Sequence, residues 1–296
     1  MIRLGILDFD TSHVVEFTKR LNHIDVAETQ FVEGAKVVVG CVGESKIYPD
    51  LIAGYAAQMT KYGVPLVEKP TQMIGRVDAV LIESNEGGVH YERAKPFLEA
   101  GLPCFIDKPF TCSTDDAKKL IDLAAKKNVA LFSASALRYA PELVAYLADP
   151  KRAPLAGCSV FGPASLHARN PGLFHYGIHP VEMLYTLMGP GCVRVSCLRE
   201  KGAEVATGVW KDGRVASLRG TRPAGGYGFT AFTDKGTHTA NATAGTIYRD
   251  LLKNVVATFQ TGKPPFDVNI TLEIVAFIVA ANASADNHGT PVTVRT

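Results

Sequence analysis

The chain lacks most of what would mark it as secreted, membrane-embedded or nucleic-acid-binding. Its six cysteines are scattered through strand-like runs and form no Cys-x-x-Cys pair, which argues against a zinc ribbon or a dithiol redox motif. Dispersed thiols of this kind read as buried, reduced side chains of a cytoplasmic protein. Formal net charge is only +2 over 296 residues, with no basic block, so no footprint for nucleic acid or an anionic membrane is expected. No apolar run approaches the roughly 20 residues that a membrane helix needs. The N-terminus opens directly on Ile2-Arg3-Leu4-Gly5-Ile6-Leu7, without a basic n-region, an apolar h-region or a cleavage site, so no signal peptide is expected. Internal repeats and low-complexity segments are also missing. What remains is 47% hydrophobic and 20% charged, an ordinary globular composition at a length that allows two domains.

The first half alternates strand and helix. Apolar runs at 3–7, 36–42, 77–82, 104–106 and 129–133 read as strands. Between them, a helix capped by Thr11 or Ser12 runs to residue 22, with Val14, Val15, Phe17, Thr18 and Leu21 on one face. Two more follow, at 90–100 closed by Gly101 and at 114–127 opened by Ser113. Such alternation implies a parallel sheet covered on both faces, a doubly wound domain over 1–135. The pattern then changes. After a helix at 141–148 come β-rich runs at 157–161, 193–198, 205–210, 215–220 and 229–233, with hairpin turns at Lys211-Asp212-Gly213 and Asp234-Lys235-Gly236. Helices at 247–261 and 272–287 close the chain. An α+β domain over 136–296 with a mainly antiparallel sheet is expected.

Two short runs carry most of the chemistry. In an open α/β sheet, ligands sit beyond the carboxyl ends of the strands. Lys108 holds that position after 104–106, and Pro109 biases its backbone towards an extended conformation. A lysine in a dry pocket loses basicity and handles protons near neutral pH. The similar Glu68-Lys69-Pro70 precedes a strand and reads as a surface loop. In the second run, His175, His179 and Glu182 share one face if 175–187 is helical. One imidazole would then exchange a proton with a substrate hydroxyl while a neighbour orients it. The same spacing could present a metal face, but no third ligand can be placed and no metal is assigned.

These residues carry a family resemblance. The stretch 77–82 through His90, then Ala100-Gly101-Leu102-Pro103 and Asp107-Lys108-Pro109, is similar to the "DAV…H…AGK…EKP" block of the glucose–fructose oxidoreductase / inositol dehydrogenase (Gfo/Idh/MocA) family. Arg138-Tyr139-Ala140-Pro141 resembles its "R-x-x-P", and Gly177-Ile178-His179 to Glu182 its "G-x-H-x-x-D". The closing Asn287 to Val292 resembles its "S-x-x-x-G-x-x-V". The resemblance implies a Rossmann-like domain binding NAD or NADP, followed by a domain with an open-faced sheet that forms homo-oligomers, here a dimer or tetramer. It implies oxidation of a sugar or cyclitol hydroxyl, Lys108 beside nicotinamide and substrate, and His179 as the proton-transfer histidine. Cofactor contacts carried over by position are Asp8, Phe9, Asp10, Ser12, His13, Glu44, Ser84, Asn85, His90, Asp107, Lys108 and Pro109. His175 joins the catalytic group, and Arg138, Tyr176 and Glu182 line the substrate.

Three departures stand out. The aspartate four residues before the family's histidine is His175 here, and the chain is shorter than most members. Where the family has Gly-x-Gly-x-x-Gly or Ala after the first strand, this chain has Asp8-Phe9-Asp10-Thr11-Ser12-His13. Bare glycine backbone lets a pyrophosphate approach a helix N-terminus, whereas two aspartates put negative charge there. At the ribose position, Glu44 would favour NAD, while Ser45 and Lys46 would suit a 2′-phosphate. The leading expectation is an NAD(P)-dependent oxidoreductase moving hydride between nicotinamide and a sugar-like or polyol hydroxyl or carbonyl, with substrate between Lys108 and His179. The rivals are a lyase, hydrolase or epimerase on the same scaffold, and a non-catalytic sugar-binding or regulatory protein.

Overall fold

The computed structural model describes residues 1–223 and 225–296. Its first six strands are β1 (Ile2–Leu7), β2 (Ala35–Cys41), β3 (Leu66–Val67), β4 (Ala79–Ile82), β5 (Cys104–Ile106) and β6 (Leu131–Phe132). They form one parallel sheet in the order β3-β2-β1-β4-β5-β6. The helices joining them are α1 (His13–Asn22), α2 (Pro49–Lys61), α3 (His90–Glu99) and α4 (Thr114–Lys127). Every residue of β4 and β5 is buried, as expected of strands covered on both faces. Each of Leu4, Ile6 and Leu81, wholly withdrawn from water, contributes about 1.5–3 kcal/mol. The strand order reverses between β1 and β4. In such sheets that is where a ligand finds room beyond the strand ends.

The second unit opens with α5 (Pro141–Ala148) and β7 (Leu155–Pro163), followed by α6 (Ile178–Met188). Strands β8 (Cys192–Arg199), β9 (Ala203–Trp210), β10 (Val215–Thr221), β11 (Tyr227–Thr233) and β12 (Gly236–Ala242) come next. With the short closing strand β13 (Val292–Thr293), they make a seven-stranded sheet ordered β12-β11-β7-β10-β9-β8-β13. Its ladders are antiparallel except for β7 against β10. Strand β9 shows the two-sided character: Glu204, Ala206, Gly208 and Trp210 are buried, while the residues between them are half-buried. On the covered face, the Tyr185 ring of α6 lies 5.9 Å from Trp210 and 5.8 Å from Phe277.

Two helices lie near the end of the chain, α7 (Ile247–Thr261) and α8 (Val268–Asp286). By packing, residues 248–268 go with 1–111 and 115–134, whereas 112–114, 135–247 and 269–296 form the second unit. Tyr248 sets its ring 5.1 Å from His13 and 5.7 Å from Phe17, and Phe266 lies 5.4 Å from Phe132. Helix α8 is long and apolar enough to cross a membrane by length and composition. Its Leu272, Ile274, Val275, Phe277, Ile278 and Ala281 are buried, and core helices of globular proteins pass the same test.

Several local expectations change. Helix α2 has no apolar stripe, because Met59 is its one buried residue, so periodicity could not reveal it. Strand β12 is exposed along most of its length and pairs with β11 through its backbone. The strand expected over 129–133 pairs only at Leu131 and Phe132. His175 does not belong to α6. A 3₁₀ turn at Gly172–Phe174 precedes it, its own ψ is −91°, and α6 begins only after Gly177. The expected three-residue face is therefore reduced to His179 and Glu182.

Candidate functional site

The first cluster lies at the carboxyl ends of β1, β4 and β5. Chain direction leaves β1 through Asp8, a non-glycine residue at φ 64°, in the left-handed region that a tight turn requires. Its carboxylate is folded inward, accepting from the Ser84 hydroxyl and, at 2.9 Å, from Arg93 Nε. Burial pushes the Asp8 carboxyl above its usual range, against the pull of Arg93 and Ser84. Oδ1 has no hydrogen-bond partner and faces Gly43, where an added Cβ would stand 1.7 Å from it. Asp10 is also turned inward. It accepts from Ser45 Oγ at 2.6 Å and from the Asn85 backbone at 2.9 Å, while Asn85 Nδ2 donates to the Asp10 carbonyl. Burial raises its pKa too, opposed by those two donors. The two aspartates thus brace the turn where bare glycine was the family expectation.

Phe9 is wholly buried against Gly40, and Ser12 is exposed at the start of α1. The ring of His90 fills the space between two turns, with Nδ1 2.9 Å from the Pro109 carbonyl and Nε2 2.8 Å from that of Ser84. A cavity of about 240 Å³ opens among these loops, lined by Asp10, Glu44, Ser45, Lys46, Ser84 and Arg93, with Glu86, Gly88 and Glu92.

Deeper in the same unit, His13 Nδ1 lies 2.7 Å from Asp107 Oδ2 and 3.7 Å from Glu83 Oε2. Burial alone depresses an imidazolium, but Asp107 and Glu83 outweigh it and hold His13 at about 9. Burial likewise opposes charge on Asp107, yet His13 and Lys108 bring it down to about 2. Glu83, wholly buried with neither oxygen hydrogen-bonded, is pushed up to about 7 by desolvation. Asp107 Oδ1 also accepts the backbone N–H of Lys108 at 2.7 Å, and Lys108 is 8% exposed, followed by a cis peptide to Pro109. Among the described residues, His13, Glu83 and Asp107 are a set able to hold a metal, with ligand atoms within 4.8 Å of one another. Two ligands each about 2 Å from a tetrahedral ion stand about 3.3 Å apart. The 2.7 Å contact is shorter, a hydrogen-bond distance, so the cluster as folded holds a proton.

The second cluster is in the other unit. His179, on α6, has Nδ1 2.7 Å from Ser135 Oγ, which fixes the ring's orientation. Its ring lies 5.8 Å from both Tyr176 and Tyr227. One turn on, Glu182 forms a buried ion pair with Arg138 Nε. Desolvation raises the Glu182 pKa, and Arg138 opposes it. His175 is buried beside His167, ring centroids 5.4 Å apart, while Tyr176 is exposed. Glu83, Arg93 and Ser135 were not singled out in the sequence. Glu83 had one signal, a carboxylate directly after the wholly apolar β4.

Residues 50–135 match the Gfo/Idh/MocA model, an oxidoreductase family with an NAD-binding Rossmann fold. Over that segment the chain is similar to the Gfo/Idh/MocA family. UDP-N-acetylglucosamine 3-dehydrogenase of Acidithiobacillus ferrooxidans is 29% identical over 183 residues, 57% of this chain and 56% of the relative. YceM of Salmonella typhimurium is 32% identical over 78 residues, 26% of this chain and 25% of its own. The aligned regions thus span about a quarter and just over half of these curated relatives. Among solved structures, GenD2 from gentamicin A biosynthesis, in complex with NAD, superposes with a TM-score of 0.82 at 16% identity, covering 100% of this chain and 97% of that one. The myo-inositol dehydrogenase of Lactobacillus casei, in complex with NAD(H) and myo-inositol, gives 0.77 at 15% identity, covering 100% and 97%. At these identities the superpositions show the fold, a Rossmann-type parallel sheet with a second, mainly antiparallel one.

Proposed function

We propose that the chain is an NAD(P)-dependent oxidoreductase acting on a sugar-like or polyol hydroxyl or carbonyl. The observation that carries the proposal is Lys108. It lies within the matched NAD-binding segment, directly beyond β5, almost wholly withdrawn from water and tied at its backbone to Asp107. The donor set of the first cluster suits the adenosine half of a dinucleotide. Glu44 and Glu92 supply acceptors for ribose hydroxyls, and Gly88 leaves bare backbone along the cavity, since an added Cβ there meets only Glu86 Oε1 at 3.8 Å. A bound nicotinamide supplies the hydride acceptor or donor. In the first unit Lys108 Nζ is proposed as a proton-handling group; in the second unit His179 Nε2 is proposed as another, with Ser135 orienting the imidazole and Glu182 holding Arg138 in place. His175, Tyr176 and Arg138 are proposed substrate-side residues, and the protein is proposed to be a cytoplasmic homo-oligomer.

Titration with NADH and NADPH, followed by nicotinamide fluorescence, tests the cofactor. Binding of at least one is expected, and binding of neither would end the proposal. With binding in hand, Lys108→Ala should abolish turnover of a polyol or sugar while leaving far-UV circular dichroism unchanged. Full activity would remove Lys108 from its role. A second reading, an enzyme without net redox chemistry on this scaffold, is favoured by Asp8 and Asp10 in the turn. Tight nucleotide binding without reduction of any sugar or polyol would select it.

A further inference from the structure

We propose that the cavity beside the β1–α1 turn selects NAD over NADP, and that Asp8 does so by tying up Arg93. This rests on the nucleotide-binding reading above and adds to it a specificity that the loop sequence alone left open.

Arg93 stands on α3 and lines both this cavity and a second one formed with Cys41 to Glu44 and with residues 66–68. A guanidinium so placed is a ready reader of a 2′-phosphate. Its Nε, however, donates to the buried carboxylate of Asp8 at 2.9 Å, so its charge is met inside the turn. Asp8 is held there by φ 64°, by the Ser84 hydroxyl and by Gly43, whose missing Cβ makes room for Oδ1. The carboxylate therefore belongs to the turn and is not a mobile surface charge.

The remaining walls carry Asp10, Glu44, Glu86 and Glu92 against one further cation, Lys46. Glu44, Lys46 and Glu92 are exposed. With Arg93 offset by Asp8, carboxylates outnumber the cations at the rim. A ribose carrying two free hydroxyls meets acceptors there. A 2′-phosphate, with close to two negative charges, meets repulsion and loses the one rigid guanidinium that could fork it. Like charges at this half-exposed rim are partly screened, so the preference should shrink as salt rises.

The experiment is a fluorescence titration of the full-length protein with NADH and NADPH, at about 0.05 M and about 0.5 M salt. NADPH is expected to bind at least tenfold more weakly than NADH at the lower salt, about 1.4 kcal/mol, with the ratio narrowing at the higher. In Asp8→Asn, Arg93 is released and the ratio should fall at least threefold, through tighter NADPH binding. Asp8 is buried, so Glu44→Gln/Glu92→Gln, both at exposed positions, decides the matter if Asp8→Asn does not fold; the same narrowing is expected. Equal binding, a preference for NADPH, or a ratio unmoved in the folded variants overturns the inference and leaves the nucleotide reading standing. Binding of neither nucleotide overturns both.

Discussion

Replacing Glu83 by glutamine should change how stability depends on pH more than it changes stability at any one acid pH. Glu83 is fully buried, without a hydrogen-bond partner, and faces His13, Asp107 and Lys108. Desolvation lifts its carboxyl from 4.5 to about 7. The folded protein therefore holds a proton on Glu83 that the unfolded chain releases. Stability from this group is present below pH 4.5 and is lost as pH rises through about 7. One pKa step is worth 1.36 kcal/mol, so the loss amounts to about 3 kcal/mol by pH 8. Glutamine has nearly the same shape and does not titrate. Its variant should match the wild type near pH 4.5 and exceed it by up to about 3 kcal/mol near pH 8. The excess is reduced by what His13 gives up when the neighbouring carboxylate goes. That term opposes the gain, because His13 is raised from 6.5 to about 9 partly by Glu83; its contribution is present below pH 6.5 and is lost as pH rises through about 9. Urea unfolding followed by far-UV circular dichroism from pH 4.5 to 8 measures the gap. A gap that fails to widen by about 1 kcal/mol refutes the desolvation argument.

Glu182→Ala removes the carboxylate of the buried Arg138–Glu182 pair and should cost about 3–5 kcal/mol, read by fluorescence of the single tryptophan, Trp210; a cost under about 1 kcal/mol would count against the pair. The apolar double replacement Arg138→Met/Glu182→Leu should recover most of that loss in the same assay. Gly43→Ala combines a left-handed φ of 67° with a clash against Asp8 Oδ1, and should cost more than the about 1–2 kcal/mol of the backbone contribution alone, measured by urea unfolding. Tyr248→Ala removes a ring set against His13, Phe17 and the Arg20 guanidinium, and should cost about 2 kcal/mol in urea unfolding.

The elements visible in the sequence were those whose burial leaves a period. β4 and β5 read as unbroken apolar runs, and α1 and α4 as stripes, because each packs against a neighbour on a fixed face. Helix α2 and strand β12 bury almost nothing, so their sequences carry no such mark; Pro49 at the first turn of α2 was its one local clue. For the candidate site, Lys108 and His179 were legible because a strand end and a helix start have fixed places in the topology. The partners were not. Arg93 reaches Asp8 across 85 residues, Ser135 reaches His179 across 44, and Asp107 reaches His13 across 94. Pairings at that separation leave no trace in local pattern. His175 misled for the opposite reason: four-residue spacing suggested a shared helical face, but the backbone breaks at His175 itself, with ψ −91°, before the helix begins.

The placement of residues 248–268 with the first sheet has a consequence for the order in which the protein can be made. Synthesis proceeds from the N-terminus at about 5–20 residues per second, and about 110 residues of the other unit intervene before Tyr248 emerges. For something on the order of 10 s, the nascent first unit has His13, Phe17 and Phe132 without the rings that later cover them. A fragment ending near residue 135 would keep that uncovered surface permanently. Its aggregation, and its rescue by a separately supplied segment containing 248–268, would show that this domain is completed by the far end of its own chain.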